Sequence, residues 1–328
     1  MLLNMPNGTM NEALKTYLIQ NDIPYEMDVT LTKKSWVRQG GICGYWIEPS
    51  GKEQLTELCK YLYKEGVAFD IVGQTSNIFF HSTYHPEVVI STIKVKDHVI
   101  VNDILTVDCG VSVVKLAKDL LEQGYAGFSG LTGLPGTVAS AIVNNAGCFG
   151  CSLTSMLISA DILLPNGSIE TWQIDDFGYS HRSSVLKRKE KSGVVLNVRL
   201  KLKKADNPVE EKKKAESAMN YRRTKQENKG RNLGSVFASR KMKRNFKNIV
   251  TVMVQTIFGV MRLMPKRRVQ KNMLLWLYGY KNLAPYISDR NVNTFVWRDE
   301  RAEQMFVKYK DFIGKVFDDA VLEIEERF

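Results

Sequence analysis

Apolar residues recur along this chain with two different spacings, one typical of helices and one typical of strands. Intervals of three or four residues predict amphipathic helices over residues 11–20, 54–63 and 113–122. A charged segment over 207–229 and an aromatic-rich segment over 299–317 also have helical spacing. Short apolar or alternating runs predict strands over residues 29–31, 43–47, 67–72, 78–79, 88–90, 94–101, 105–108, 160–164, 168–173 and 194–202. This mixture of helices and strands predicts an α+β protein.

Local signals place several of these boundaries. Ser50 and Glu53 have the spacing of a capping box ahead of the second helix. Pro165-Asn166-Gly167 separates two predicted strands and therefore predicts a hairpin. Turn residues also separate the strands over residues 88–108, which we expect to be antiparallel. No Gly-x-Gly-x-x-Gly pattern follows the first strand, so a Rossmann-type dehydrogenase is not expected.

Length and composition indicate a globular protein of about two domains. The chain has 328 residues, 44% of them hydrophobic, and contains no run of 18 apolar residues. Its first residues lack the basic, apolar and small-residue segments of a secretory signal. Five cysteines, an odd number spread over a long chain, fit a reducing compartment better than a disulfide framework. The sequence therefore predicts a cytoplasmic protein.

Positive charge is concentrated in the second half of the chain. Residues 201–290 contain 23 Lys and Arg against 6 Asp and Glu, a net charge of +17, whereas the whole chain carries +11. Basic residues flank an apolar stretch over 249–264, which contains Gln255, Gly259 and Arg262. This stretch is shorter than the ~20 apolar residues of a membrane crossing.

Two interpretations of the apolar stretch remain open. The one we favour on the sequence is a core helix of a substrate-binding lobe, with its basic neighbours around a substrate diphosphate. The other is an interfacial helix, with contact to an anionic membrane through residues 240–271 and an apolar face of Val252, Ile257, Phe258 and Met261. Nucleic acid is not expected as a partner, because no recognition fold accompanies the charge.

Two glycine-containing loops carry the strongest chemical signal. In the segment from Gly130 to Gly147, Pro135 fixes the backbone and Gly136 lets N–H groups approach a ligand without an intervening Cβ. The small residues that follow can begin a helix whose free N–H groups favour an anion, and two asparagines add amides for a ring or a ribose. The other loop, Gly73-Gln74-Thr75-Ser76-Asn77, interrupts a predicted strand and offers further donors.

In this order, and together with two later motifs, the loops resemble the UDP-N-acetylenolpyruvoylglucosamine reductase family, flavoenzymes that make UDP-N-acetylmuramate for bacterial cell walls. The family's first loop is roughly Gly-x-Gly-Ser-Asn. Its second is Gly-Ile-Pro-Gly-Thr-Val-Gly-Gly-Ala, followed by Asn-Ala-Gly. This chain has Thr75 in place of a glycine and Ala139-Ser140 in place of a Gly-Gly pair.

The resemblance implies FAD and NADPH as cofactors. It also implies a two-lobed FAD-binding domain of the vanillyl-alcohol-oxidase/p-cresol-methylhydroxylase type over residues 1–204, with lobes of about 1–92 and 93–204. An α+β substrate domain would then span 205–328. The residues expected to hold the flavin are Gly73, Gln74, Thr75, Ser76, Asn77, Gly130, Gly133, Pro135, Gly136, Thr137, Ser140, Asn144, Asn145 and Gly147.

Three further matches imply catalytic roles. A family Tyr-Arg-x-Ser motif aligns with His181 to Ser184, and it implies that Arg182 contacts the substrate carboxylate and stabilises developing negative charge. A family Asn-Ala-Gly-Ser-Phe-Phe motif implies that Ser235 protonates the intermediate, although Ala238-Ser239-Arg240 replaces the Lys-Asn-Pro that usually follows. A family Leu-Glu-Pro-Glu motif implies that Glu325 lies beside the catalytic arginine.

The implied reaction reduces the enolpyruvyl ether of a UDP-sugar, with hydride from the flavin. One alternative is a paralogous FAD oxidoreductase that acts on another nucleotide- or lipid-linked sugar, since residues 240–290 diverge from the family. A second is a non-catalytic flavin- or sugar-binding protein, peripheral at the inner membrane face. Residues implied to contact the substrate are Ser184, Arg222, Arg223 and Asn232.

Cys148 and Cys151 have the Cys-x-x-Cys spacing of a redox pair or of half a zinc site. No second pair and no histidine cluster completes a metal site in the sequence. We therefore interpret them as two small buried side chains and expect no metal.

Overall fold

The computed structural model describes residues 7–261 and 264–328, with side chains from residue 12 onward except that of Ser239. The backbone groups into two compact units. The first comprises Ile42–Gln74, His85–Ala215 and the described part of Met1–Thr30, and the second comprises Leu31–Gly41, Thr75–Tyr84 and the described part of Glu216–Phe328.

Helices and strands occur in both units. The α-helices of the described residues are α1 (Asn7–Gln20), α2 (Lys52–Glu65), α3 (Val113–Glu122), α4 (Val138–Val143), α5 (Pro208–Lys225), α6 (Phe246–Val260), α7 (Lys266–Tyr278) and α8 (Ala302–Val316). The strands are β1 (Tyr25–Thr30), β2 (Ile42–Ile47), β3 (Phe69–Val72), β4 (Ile78–Phe80), β5 (Val88–Ser91), β6 (His98–Val101), β7 (Ile104–Asp108), β8 (Gly147–Cys148), β9 (Cys151–Ser152), β10 (Leu157–Leu163), β11 (Ile169–Gln173), β12 (Val194–Lys201), β13 (Phe237–Met242), β14 (Phe317–Leu322) and β15 (Glu325–Arg327).

The first unit contains two sheets, each with its own hydrophobic core. The strand order of the smaller sheet is β1-β2-β5-β3, and α1 and α2 contribute Leu18, Leu55 and Leu58 to its core. The larger sheet is antiparallel, in the order β11-β10-β12-β7-β6, and α3 and α4 supply Leu116 and Ile142 to its core. Of these helices, α1, α2 and α3 bury the apolar faces that their spacing predicted.

The second unit has an aromatic core. The rings of Phe295, Phe306 and Tyr309 are completely buried and pack against one another, and Phe312, further along α8, is completely buried in the same core. Two strand pairs complete the unit: β13 pairs antiparallel with β14, and β15 pairs in parallel with β4. The aromatic face predicted for the last helix is confirmed.

Several local predictions were wrong. Gly51 is the N-cap of α2, and Gln54, not Glu53, reaches back by accepting the Ser50 N–H at 2.8 Å. Strand β5 pairs in parallel with β2 and β3 and does not join an antiparallel group. The segment over 293–296, which the family resemblance implied to be a strand, makes an isolated bridge at Phe295 instead. The parallel pairing of β5 depends on strands remote in sequence, which local pattern does not report.

The predicted core helix over the apolar stretch is also wrong. Helix α6 does form, but only Asn248 and Thr251 along it are buried, whereas large apolar side chains such as Phe246 and Ile257 are exposed. Arg262, which the apolar stretch contains, lies outside the described residues.

Candidate active site

The loop after β3 has an unusual backbone. Thr75 adopts a left-handed conformation with φ of 54°, which a β-branched residue rarely accepts. Its Oγ1 accepts the Trp36 N–H at 2.8 Å and donates to the Lys34 carbonyl oxygen at 3.4 Å, and these bonds hold the strained conformation in place. Thr75 therefore adopts, with side-chain support, the conformation that the family's glycine reaches freely.

Three consecutive backbone N–H groups of this loop are available to a ligand. Among the described residues, the N–H groups of Gln74, Thr75 and Ser76 have no protein acceptor. Consecutive N–H groups around a left-handed residue form a concave nest that suits phosphate oxygens. The donor set of this loop therefore fits the diphosphate of a dinucleotide cofactor.

In the first unit, the two predicted flavin loops meet. The N–H of Gly136 donates to Oε1 of Gln74 at 2.9 Å. A Cβ added to Gly73 would lie 2.5 Å from Oγ1 of Thr137. Gly136 has a φ of 128°, which L side chains rarely adopt. Glycine at 73 is therefore required by the packing of one loop against the other, and glycine at 136 by its backbone conformation.

The predicted anion site at the start of α4 is wrong, because its N–H groups already have acceptors. Thr137 and Ser140 form a capping box, in which each side chain accepts the other residue's N–H. The next two N–H groups, of Val138 and Ala139, donate to the carbonyl oxygens of Val111 and Cys109. Ser140, in the place of a family glycine, thus completes the cap of this short helix.

Two other predicted flavin contacts, Asn144 and Asn145, form hydrogen bonds within the protein. The Asn144 amide donates to the Ser140 carbonyl at 3.0 Å. Asn145 donates to the Ser180 carbonyl at 2.9 Å and accepts from Thr154 at 2.8 Å. Both amides therefore have protein partners that orient them, and their contacts with a ring or a ribose stay predictions.

Glycines 130 and 147 allow close backbone packing. A Cβ on Gly130 would lie 2.4 Å from the Cys148 carbonyl oxygen, and one on Gly147 would lie 2.7 Å from that of Cys151. Cys148 and Cys151 face each other across the β8–β9 hairpin and are half-buried, not buried as expected, and the Cys148 thiol donates to the Gly130 carbonyl at 2.9 Å. Of the other predicted contacts in this segment, Gly133 is half-buried and Pro135 is exposed.

Arg182 occupies the tip of a tight turn. Ser180 and Ser183 exchange two backbone hydrogen bonds of 3.1 Å, and Arg182 between them has a φ of 58°. Its guanidinium donates to the carbonyl oxygens of Asn145 at 3.3 Å and Gly147 at 2.5 Å. Both acceptors are carbonyl oxygens, and they orient the planar guanidinium. The arrangement suits recognition of an anionic group.

A buried phenol adjoins this turn. Tyr179 stacks on Phe177 at 5.2 Å, and its hydroxyl is a buried group without a hydrogen-bond partner among the described residues. Burial raises the pKa of Tyr179, so the phenol stays neutral and keeps its proton.

Ser184 is a correction to the predicted substrate contacts. The side chain is completely buried, its hydroxyl donates to the Val143 carbonyl at 2.6 Å, and it accepts the Lys187 N–H at 3.2 Å. A group with no accessible surface and a full set of partners cannot touch a substrate. Ser184 instead ties the Arg182 turn to the end of α4.

In the second unit, Ser235 is exposed on a rigid turn. Asn232 accepts the Gly234 N–H at 3.0 Å, and Gly234 has a φ of 76°. The following residue, Val236, is completely buried and donates to the Asn293 carbonyl at 2.9 Å. The Ser235 hydroxyl has no partner within the part of the chain that the structure describes. It is therefore a positioned hydroxyl with capacity for a ligand.

The strand pair β4–β15 fixes Glu325 beside the first flavin loop. Its N–H donates to the Asn77 carbonyl at 2.8 Å, and the Asn77 amide donates to the Glu323 carbonyl at 3.3 Å. The carboxylate forms an ion pair of 2.9 Å with Arg327. Since Glu323 also donates to the carbonyl of Val236, the flavin loop, Glu325 and the Ser235 turn are neighbours within the second unit.

The residues predicted to contact substrate in the second unit differ in exposure and in hydrogen-bond partners. Both ends of the Asn232 side chain bond within its own loop, to Gly230 and Gly234, so this residue shapes the Ser235 turn. Arg222 is half-buried, and Arg223 is exposed on α5 with Asn220 as a partner at 3.2 Å. Of these residues, the two arginines remain predicted substrate contacts.

Two residues that hold the loops of the second unit in place were not identified from the sequence pattern. The Trp36 indole donates to the Asn232 carbonyl at 3.1 Å while its backbone donates to Thr75, so it joins the Ser235 loop to the flavin loop. The buried Asn293 amide donates to the Phe237 carbonyl at 2.8 Å and accepts the Phe237 N–H at 3.0 Å. Nothing in the local pattern marks either residue, because their partners lie far away in sequence.

Comparisons with known proteins agree with this architecture. A family model described as an FAD binding domain matches residues 44–172. A UDP-N-acetylenolpyruvoylglucosamine reductase from Bacillus pumilus is 31% identical over 230 residues, which cover 69% of this chain and 75% of that protein. A protein of the same name from Halalkalibacterium halodurans is 31% identical over 199 residues, or 60% of this chain and 65% of that protein.

A solved structure shares the fold. The crystal structure of UDP-N-acetylenolpyruvylglucosamine reductase from Thermus caldophilus matches with a TM-score of 0.63 and 19% identity, covering 93% of this chain and 98% of that one. The predicted α+β fold with an FAD-binding domain is confirmed.

Proposed function

Because the chain belongs to the UDP-N-acetylenolpyruvoylglucosamine reductase family, we propose that it reduces the enolpyruvyl ether of UDP-N-acetylglucosamine to UDP-N-acetylmuramate, a peptidoglycan precursor, with NADPH as reductant. The chain is an FAD-dependent oxidoreductase. The observation that supports the specific reaction most strongly is the cluster in the second unit, where the exposed Ser235 and the strand carrying Glu325 adjoin the flavin loop. A protein that only bound flavin would not need a positioned proton donor there.

The chain's residues would hold the cofactor and orient the substrate. The unpaired N–H groups of Gln74, Thr75 and Ser76 would bind the FAD diphosphate. Bound FAD supplies a hydride to the terminal carbon of the enolpyruvyl group. Arg182 would bind the substrate carboxylate, because a guanidinium is a planar, permanently charged fork and the carbonyl groups of Asn145 and Gly147 orient it.

Proton delivery is the task of Ser235. Once the terminal carbon has gained hydride, negative charge spreads from the neighbouring carbon into the carboxylate. Arg182 would stabilise this enolate, Glu325 would help to orient the enolpyruvyl group, and the Ser235 Oγ–H bond would break as its proton forms the new C–H bond. The ether bond to the sugar is retained, and the resulting serine alkoxide regains its proton from solvent.

Replacing Arg182 by lysine is expected to lower kcat by about a hundredfold while leaving flavin content unchanged. A lysine keeps the positive charge but loses the planar fork that the carbonyls of Asn145 and Gly147 orient. The measurement is steady-state turnover of the enolpyruvyl substrate, together with the flavin-to-protein absorbance ratio.

The matched control is Arg188→Lys. Arg188 lies in the same segment, but it is an exposed residue paired with Glu190 at 2.7 Å. We expect it to retain full turnover. If Arg182→Lys also turns over at the unmodified rate, the role assigned to the guanidinium is wrong.

A further inference from the structure

Helix α6 exposes an apolar stripe. Phe246, Ile249, Met253, Ile257 and Val260 have exposed fractions of 78%, 55%, 59%, 52% and 74%. Their spacing of three, four, four and three residues places them on one side of the helix. Large side chains in contact with water over four turns are a cost that soluble helices normally avoid.

The opposite, buried side of α6 is polar. Asn248 donates to the carbonyl oxygens of Lys243 at 2.8 Å and Val316 at 3.0 Å, and the Tyr278 hydroxyl donates to it at 3.1 Å. Thr251, one turn later, is also completely buried. These hydrogen bonds anchor the helix by its polar side, so the apolar side faces outward. The usual orientation of an amphipathic surface helix is therefore inverted.

The surroundings of the stripe are positively charged. Residues 228–288 contain thirteen Lys and Arg and no Asp or Glu. Arg244 and Lys247 are exposed at the start of α6, and Lys266, Arg267 and Arg268 are exposed just beyond its end. Cations at both ends of an exposed apolar helix are typical of helices that lie on anionic lipid.

We propose that α6 docks this enzyme on an anionic bilayer, with the stripe at the boundary between headgroups and acyl chains and the flanking cations at lipid phosphates. The helix of 15 residues is about 22 Å long and would lie flat, as interfacial helices do. Within the described ranges, no helix is long and apolar enough to cross a membrane.

The positive charge around the α6 stripe favours an anionic bilayer over other partners. A second copy of the chain would place two strongly basic surfaces against each other, which like-charge repulsion disfavours. A nucleic acid would satisfy the cations but would leave the five apolar side chains of the stripe in water. A bilayer containing acidic lipid satisfies both features at once.

Vesicle co-sedimentation tests the proposal without any substrate, so its outcome is independent of the proposed reductase activity. The flavin-loaded protein is mixed with vesicles of phosphatidylcholine, with or without phosphatidylglycerol, at low and at high salt. We expect binding only to the anionic vesicles, weakened by salt. Equal binding to both vesicle types, or to neither, would overturn the proposal.

Two pairs of variants separate the apolar and ionic contributions. Met253→Asp/Ile257→Asp is expected to weaken vesicle affinity at least tenfold. The matched control, Val209→Asp/Val307→Asp, changes two comparably exposed valines on other helices and should bind normally. Arg244→Gln/Lys266→Gln should weaken binding by about fivefold per residue, unlike the exposed pair Lys115→Gln/Lys118→Gln on α3.

Retained flavin absorbance and an unchanged melting temperature show that each variant is folded. A wild-type dimer that Met253→Asp/Ile257→Asp converts to monomer, without vesicle binding by either protein, would assign the stripe to a second copy and contradict the proposal.

Discussion

Ser235→Ala is expected to slow the oxidation of the reduced enzyme by the enolpyruvyl substrate by about a thousandfold. Reduction of the flavin by NADPH should keep its normal rate. The reason is that only the second half of the reaction needs a proton, and we propose as its donor the exposed hydroxyl of Ser235, next to the Glu325 strand. Rapid mixing measures the two half-reactions separately from the flavin absorbance.

Two further variants make the Ser235 experiment specific. Ser82→Ala removes another exposed serine hydroxyl of the second unit and should leave both half-reactions unchanged. Ser235→Cys places an acidic S–H at the same position and should recover part of the lost rate. If Ser235→Ala is oxidised by substrate as fast as the unmodified enzyme, Ser235 is not the proton donor.

Gly73→Ala is expected to abolish retention of FAD during purification. The new Cβ would lie 2.5 Å from Oγ1 and 2.9 Å from Cγ2 of Thr137. Thr137 cannot retreat, because only 1% of it is exposed and it caps α4 together with Ser140. The loop must therefore shift by enough to misplace the donors of Gln74 and Thr75. Overpacking of this kind costs about 1–3 kcal/mol, and a loss of 2 kcal/mol in binding weakens affinity by about 30-fold.

Flavin fluorescence titration and thermal unfolding give the two numbers for Gly73→Ala. The control is Gly314→Ala on α8, where an added Cβ meets nothing within 4 Å. That variant should bind FAD normally and gain up to about 1 kcal/mol of stability, because alanine is the better helix former. Tight FAD binding by Gly73→Ala would show that the contact between the two loops is not needed for the cofactor.

Local pattern was sufficient where an element is stabilised by its own apolar face. Helix α3 begins and ends at the predicted residues, and the Asn-Gly turn forms the β10–β11 hairpin. The glycines of both loops could also be singled out, since close backbone approach leaves a direct signature in composition. The helix and the hairpin depend on neighbours in sequence, so a single sequence contains them.

The remaining features depend on remote partners. Ser184 has the residue type of a substrate ligand, yet a hydrogen bond to Val143 uses its hydroxyl. Strand β15 pairs with β4, almost 250 residues earlier in the chain, and this pairing alone brings Glu325 to the flavin loop. The orientation of α6 was misjudged for a similar reason, because the polar partners of Asn248 decide which side faces inward.

An anaerobic titration of the purified protein tests the proposed reduction of the enolpyruvyl ether. FAD is reduced with NADPH, the enolpyruvyl ether of UDP-N-acetylglucosamine is added, and the flavin absorbance is followed while the product is identified by mass. We expect rapid, stoichiometric return of oxidised flavin and a product heavier than the substrate by two hydrogen atoms. A flavin that is reduced but stays reduced in the presence of this substrate would contradict the proposed reaction and indicate a different acceptor.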